Sequence, residues 1–210
     1  LARALDDGVD DGIDDGASYQ DQRFHKLDLA GRRLVGTGFY DCQFESCAFT
    51  ESVFQGCRFV GCTFKECNLS LVQLPGSAFS ATRFFDSRII GVDWTQADWS
   101  GISLGQPIGF ERCALSHSTF IGLSLPGIQV KDCLAADVDF READLSRADF
   151  SDSDLEQSLF ANTDLNKADL RTARNYRIAP GKNVLTGARF ALPEAMSLLY
   201  NLDIDLSEGK

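Results

Sequence analysis

Large apolar residues recur at every fifth position along most of this chain. The series runs Phe24, Leu29, Leu34, Phe39, Phe44 and onward in strict register to Trp94, Trp99 and Leu104. It slips by one residue at 105–109, resumes at Phe110, Leu115 and Phe120, and continues to Leu170, with Ala135 as its only small member. A period of five fits neither a 3.6-residue helix nor a two-residue strand. It predicts a solenoid, whose units stack and bury one another's faces. The residue two before each large one is mostly small: Cys42, Cys47, Ser52, Cys57, then Ala143, Ala148 and Ser153. In extended chain, positions i and i+2 share a face. Each unit therefore reads as a short extended piece, with one large and one small inward residue, followed by a polar corner.

Sampling at twenty residues, with one added at the slip, gives an aromatic column: Phe39, Phe59, Phe79, Trp99, Phe120, Phe140 and Phe160. A second column reads Phe24, Phe44, Phe64, Phe84, Leu104, Leu125, Leu145 and Leu165. Four units per turn of the solenoid follow from both. The slip reads as one extra residue at a corner, without a projecting loop, and is expected to bend or offset the stack.

Segments such as Ala143-Asp144-Leu145-Ser146-Arg147, Ala148-Asp149-Phe150-Ser151-Asp152 and Ala168-Asp169-Leu170-Arg171-Thr172 carry the A(D/N)LXX signature. They resemble the pentapeptide repeat family. The resemblance implies an all-β solenoid, a right-handed quadrilateral β-helix. The expected layout is an acidic N-terminal tail over 1–18 and N-terminal coils over 19–108. C-terminal coils follow over 109–190, with an excursion loop at 174–187 where the repeat fails, and then a cap over 191–210. Within the cap, 192–202 reads as a short α-helix: Pro193 suits a first turn, and Glu194 suits the positive helix end. Asp203 to Leu206 alternates like a final strand.

Charge changes the picture further. The chain has a net charge of −11. Residues 137–170 hold ten acids against three bases, and residues 1–16 hold six aspartates against Arg3. The Asp-Asp-Gly-x tail reads as solvated and mobile, because it lacks the loop and terminal glutamate of a calcium motif. Such acidity disfavours direct nucleic-acid binding, since phosphates are repelled. It suits a basic partner. Asp144, Asp149, Asp154, Asp164 and Asp169 each precede a large inward residue and form the candidate partner-binding rows. Some of them must face away from any one partner, because successive units lie on different sides. Charge reversal there is expected to weaken binding without lowering thermal stability.

The seven cysteines all take the small inward position. Cys42/Cys62, Cys47/Cys67 and Cys113/Cys133 lie twenty apart, near enough for cross-coil disulfides. Reduced, buried thiols are the better reading of an odd total. No cofactor, metal set or catalytic constellation is legible, so an enzyme is not expected. No apolar run is long enough to span a bilayer, and an acidic N-terminus is unlike a secretory signal. A cytoplasmic protein is the expectation.

Cys67-Asn68-Leu69, the Trp94/Trp99 pair, Phe110-Glu111-Arg112-Cys113, Asn175-Tyr176 and Ala188-Arg189-Phe190-Ala191-Leu192-Pro193-Glu194-Ala195 sharpen the resemblance. They are similar to the gyrase-protecting members of the family, of the albicidin-resistance, microcin B17 immunity and quinolone-resistance types. That resemblance implies a DNA-mimic that binds DNA gyrase and protects it from topoisomerase poisons. It also implies a homodimer joined through the C-terminal helix, with Met196, Leu198, Leu199 and Leu202 at the interface. The alternative is an interaction scaffold with a different protein client, since fold does not fix function.

Overall fold

The computed structural model describes residues 12–100, 108–200 and 202. The chain winds as a four-sided β-solenoid, and every strand pairing is parallel and in register with the coils before and after it. The strands are three residues long, for example Arg23–His25, Gln43–Glu45 and Thr63–Lys65. Their middle residue points inward and is buried.

The five-residue period has a backbone cause. The second residue after nearly every large one adopts a left-handed conformation, which turns the chain through a corner. Gly36, Gly56 and Gly76 do this at one corner, but Asp21, Lys26, Glu66 and Arg147 do it elsewhere with φ between 52° and 60°. That conformation costs an ordinary residue roughly 1–2 kcal/mol. The next coil offsets it by accepting the corner amide: Asp41 N–H donates to Val60 O at 2.8 Å, and Arg147 N–H to Asn166 O at 2.7 Å.

Four inward columns define the sides. Side one carries Phe39, Phe59, Phe79 and Trp99, then Leu125, Leu145 and Leu165. Side two carries Phe24, Phe44, Phe64, Phe84, Phe110, Val130 and Phe150. Side three carries Leu29, Phe49, Leu69, Ile89, Leu115, Ala135 and Leu155. Side four carries Leu34, Phe54, Leu74, Trp94, Phe120, Phe140 and Phe160. On side two the rings stack at 5.0, 4.6, 5.0 and 5.1 Å from Phe24 to Phe110, with interplanar angles of 11–15°.

The small inward residues form a second ladder. Ser52 Oγ donates to Leu29 O at 2.6 Å, Ser77 Oγ to Phe54 O at 2.7 Å and Thr163 Oγ1 to Phe140 O at 2.9 Å. Cysteines substitute in the same role: Cys62 Sγ donates to Phe39 O at 3.3 Å. All seven cysteines are buried free thiols. Their place is set by this ladder, where serine, threonine and cysteine share a size and a donor.

The slip resolves differently from the one-residue reading. Phe84 pairs with Phe110, and Asp93 with Thr119, at a separation of 26 residues rather than twenty. The coil therefore holds six extra residues, one whole repeat plus one, between sides one and two. Both sequence-derived columns change side there: Phe120 stacks on Trp94 at 5.7 Å, not on Trp99, and Phe110 rather than Leu104 continues from Phe84. The stack is not offset, because the ring separation across the insertion matches those before it. Leu104 to Pro107 lie outside the described residues.

Three other expectations change. The stretch 174–187 is no excursion, because Asp154 pairs with Arg174 and Asp164 with Val184 at the usual spacing. Tyr176 and Ile178 fill its interior in place of a regular repeat. The described end of the acidic tail, 12–18, is docked rather than mobile. Ile13 is buried over the first coil, Asp15 accepts the Val35 amide at 2.8 Å and Tyr19 Oη donates to Gly12 O at 3.0 Å. The C-terminal helix is shorter than 192–202: a 3-10 turn, Glu194–Met196, leads into one α-helical turn, Ser197–Tyr200. Pro193 precedes that turn without capping it, and Glu194 instead accepts the Asn175 amide at 2.6 Å, tying the helix to the last full coil. The final strand expected at Asp203–Leu206 lies outside the described residues.

Candidate partner-binding surface

The five candidate aspartates do not share a surface. Asp144 and Asp164 are neighbours on side one, Asp149 and Asp169 are neighbours on side two, and Asp154 stands on side three between Leu134 and Arg174.

Their recurrence has a local cause that the sequence reading missed. Leu145 N–H donates to Asp164 O at 2.8 Å, and Arg147 N–H to Asn166 O at 2.7 Å. The amide between them, on Ser146, goes to Asp144 Oδ1 at 3.0 Å. Asp149 takes the Ser151 amide, Asp154 that of Glu156, Asp164 that of Asn166 and Asp169 that of Arg171, at 2.8–3.2 Å. Asn68 serves Ser70 in the same way. This is an Asx turn, in which a short side chain satisfies a backbone amide two residues on. The signal was present as Asp or Asn placed just before the inward residue.

Cations answer several of these carboxylates. Lys131 Nζ lies 2.9 Å from Asp149, Arg174 Nε 3.1 Å from Asp154, and Arg171 2.7 Å from Asp169, which Arg189 also approaches at 3.3 Å. The Arg171 guanidinium holds Asp169 below the usual carboxylate range against the opposing effect of burial. Burial pushes Asp149 and Asp154 upward, but their hydrogen bonds and cations outweigh it, so both also titrate low. Asp144 and Asp164 have no ion pair among the described residues, but Arg147 and Lys167 occupy the next corner of the same side.

Exposed acids of the C-terminal coils gather most densely on side three. Asp132 and Asp152 occupy one corner, Asp137 and Glu156 the other, and all four are exposed. Among the described residues only His117 approaches Asp137, at 2.8 Å, and Asp132, Asp152 and Glu156 have no ion pair. Arg174 and Arg177 follow at the end of the row. None of the four exposed carboxylates was among the candidate residues, because the sequence period does not say which corners adjoin the same side.

At the C-terminal end, Leu198 packs on the core, Met196 and Leu199 are half-buried and Leu202 is 45% exposed. Leu192 and Tyr200, at 75% and 69% exposed, present more apolar surface than the residues expected there. Leu185 and Phe190, the inward residues of the last coil, are only half-buried.

A repeat profile, the pentapeptide repeat region, matches residues 37–108 and 104–170. The chain belongs to the pentapeptide repeat family. No curated protein sequence matches this pentapeptide repeat protein. Among solved structures it is similar to two trypsin-treated variants of QnrB1, a plasmid-mediated fluoroquinolone resistance protein. One has a TM-score of 0.61 at 20% identity, with 95% of this chain and 96% of that one covered. The other has 0.62 at 19%, with 95% and 94% covered. It is also similar to HetL, a pentapeptide repeat protein involved in heterocyst differentiation regulation from the cyanobacterium Nostoc sp. strain PCC 7120. There the TM-score is 0.52 at 16% identity, over 85% of this chain and 88% of HetL. At these identities the likeness concerns the fold.

Proposed function

We propose that this protein is a cytoplasmic, non-enzymatic binding protein that occupies the DNA-receiving surface of DNA gyrase and so protects the enzyme from topoisomerase poisons. The observation that carries this reading is a four-sided solenoid whose C-terminal coils hold, on one side, the exposed carboxylates Asp132, Asp152 and Glu156, without an ion pair among the described residues. A rod of constant section with anionic groups along it offers a basic groove what a duplex offers. The fold shared with a fluoroquinolone resistance protein is consistent with it. The protein acts as a homodimer: the half-buried last coil and exposed Leu192, Tyr200 and Leu202 supply the apolar surface for a second copy. The test is a supercoiling assay with purified gyrase, with and without a poison, titrating the protein. Protection that weakens as salt rises supports the reading. Absence of both inhibition and protection at every concentration refutes it.

One observation favours a scaffold with another client. Leu134, exposed among these carboxylates, has no counterpart on a phosphate backbone and suits a protein-shaped partner.

A further inference from the structure

Side three differs from the other sides in more than charge. Its outward ladder reads Arg88, Ala114, Leu134 and Asp154, each pairing in register with the next. Leu134 is 51% exposed in the middle of it. Toward the N-terminal coils the apolar surface continues through half-buried Ile90 to Leu71, also 51% exposed. Leu71 lies over Gly91, where an added Cβ would meet Leu71 Cδ2 at 2.7 Å. Gly91 therefore provides the room in which Leu71 lies flat along the corner. The result is a flat sheet face with an apolar strip and no covering element among the described residues.

The chemistry of its occupant is set by what borders the strip. Around Leu134 the borders are exposed Asp132 and Asp137, followed one coil later by Asp152 and Glu156. Side one, by contrast, places Arg147 and Lys167 at the corner that follows Asp144 and Asp164, and side two pairs its aspartates with Lys131, Arg171 and Arg189; on side three Arg174 answers only Asp154 and His117 only Asp137. We propose that side three is the docking face for a cationic protein segment that places an apolar side chain on Leu134 between its positive charges. The inference rests on the reading of the protein as a partner-binding rod, and it identifies which of the four sides makes the contact. An apolar anchor excludes water around the charge pairs, which are otherwise weak at an exposed surface.

The test uses a synthetic peptide with one leucine flanked by lysines, titrated into the ¹⁵N-labelled full chain and followed by NMR. Amide shifts are expected to centre on Leu134, Asp137 and Glu156. The double variant D152N/E156Q should weaken peptide binding about fivefold, and L134S should weaken it comparably. The matched variant D144N/D164N removes the same charge from side one while keeping the amide-accepting oxygens, and should change binding less than about twofold. Equal weakening by both charge variants, an unaffected L134S, or shifts centred on another side would overturn the proposal. A peptide that maps to side three while gyrase is unaffected by the protein retains the face and discards gyrase as the client.

Discussion

The two halves of the rod share a backbone and differ in how they close their coils. In the N-terminal half, side two is a run of true strands from Arg23 to Phe85, with stacked phenylalanines inside and an ion-pair ladder outside. On the same side of the C-terminal half the strands continue through Gly109–Glu111 and Gln129–Lys131, and the ladder falls to single bridges only at Asp149 and Asp169. Leucines enter the core there, and aspartate carboxylates take the amides that the ladder leaves over. The first half relies mainly on aromatic stacking, and the second, which keeps the Phe120–Phe140–Phe160 stack, leans more on side-chain caps. The acidity of the second half is therefore partly a structural requirement, and only its corner carboxylates are available to a partner.

The largest effect expected from this contrast is in the core. Phe64→Ala removes a ring stacked at 4.6 and 5.0 Å on its neighbours and should destabilise by about 3–5 kcal/mol. Leu145→Ala in the capped half should lie toward the lower end of about 2–5 kcal/mol. Equilibrium denaturation measures both. A cost below about 1 kcal/mol for Phe64→Ala would mean that stacking does not hold the first half.

Caps come next. Asp144→Ala strands the Ser146 amide and should lose about 1 kcal/mol, whereas Asp144→Asn keeps an acceptor in place and should lose less. Charge reversal of these aspartates, expected from the sequence to spare stability, should lower it for the same reason. Thermal melts of the alanine, asparagine and lysine variants decide this, and equal melts for all three would remove the cap from the account.

Acid should separate the halves more gently. Asp149, Asp154 and Asp169 titrate below their unfolded value of about 3.9. Their contribution is therefore full above that value and is lost as pH falls through the lower folded values. Hydrogen exchange at pH 3, corrected for its intrinsic rate, should show the Ser151 and Arg171 amides opening faster relative to pH 6 than amides of the first half. No difference between the halves would separate these caps from local stability.

The smallest effect belongs to the surface ion pairs where the two halves meet. Arg112 pairs with Asp86 at 2.7 Å and with Glu111, but it is exposed. Arg112→Ala should leave the unfolding midpoint essentially unchanged, as is usual for solvated pairs. A clear drop would make ion pairing a structural partner of the stacking.

The sequence by itself determined the solenoid, the inward residues and the corners. Each five-residue unit repeats the same local problem: one large and one small side chain inward, then a left-handed residue to turn. That solution depends only on near neighbours, so Phe24, Phe64 and Phe140 were legible as core. What the sequence could not carry was the identity of the side. An insertion of one residue and an insertion of six leave the same five-residue phase, and only the stacking of Trp94 on Phe120 and Phe84 on Phe110 tells them apart. The same limit hid the candidate surface. Asp144 and Asp154 look equivalent along the chain, but coil-on-coil pairing sets one beside Asp164 on side one and the other between Leu134 and Arg174 on side three. Tertiary structure also decided the ends, where Ile13 covers the first coil and the C-terminal helix leaves Leu185 and Phe190 half-buried. Periodicity is a property of each unit, whereas a side, a column and a docking face exist only once the coils are stacked.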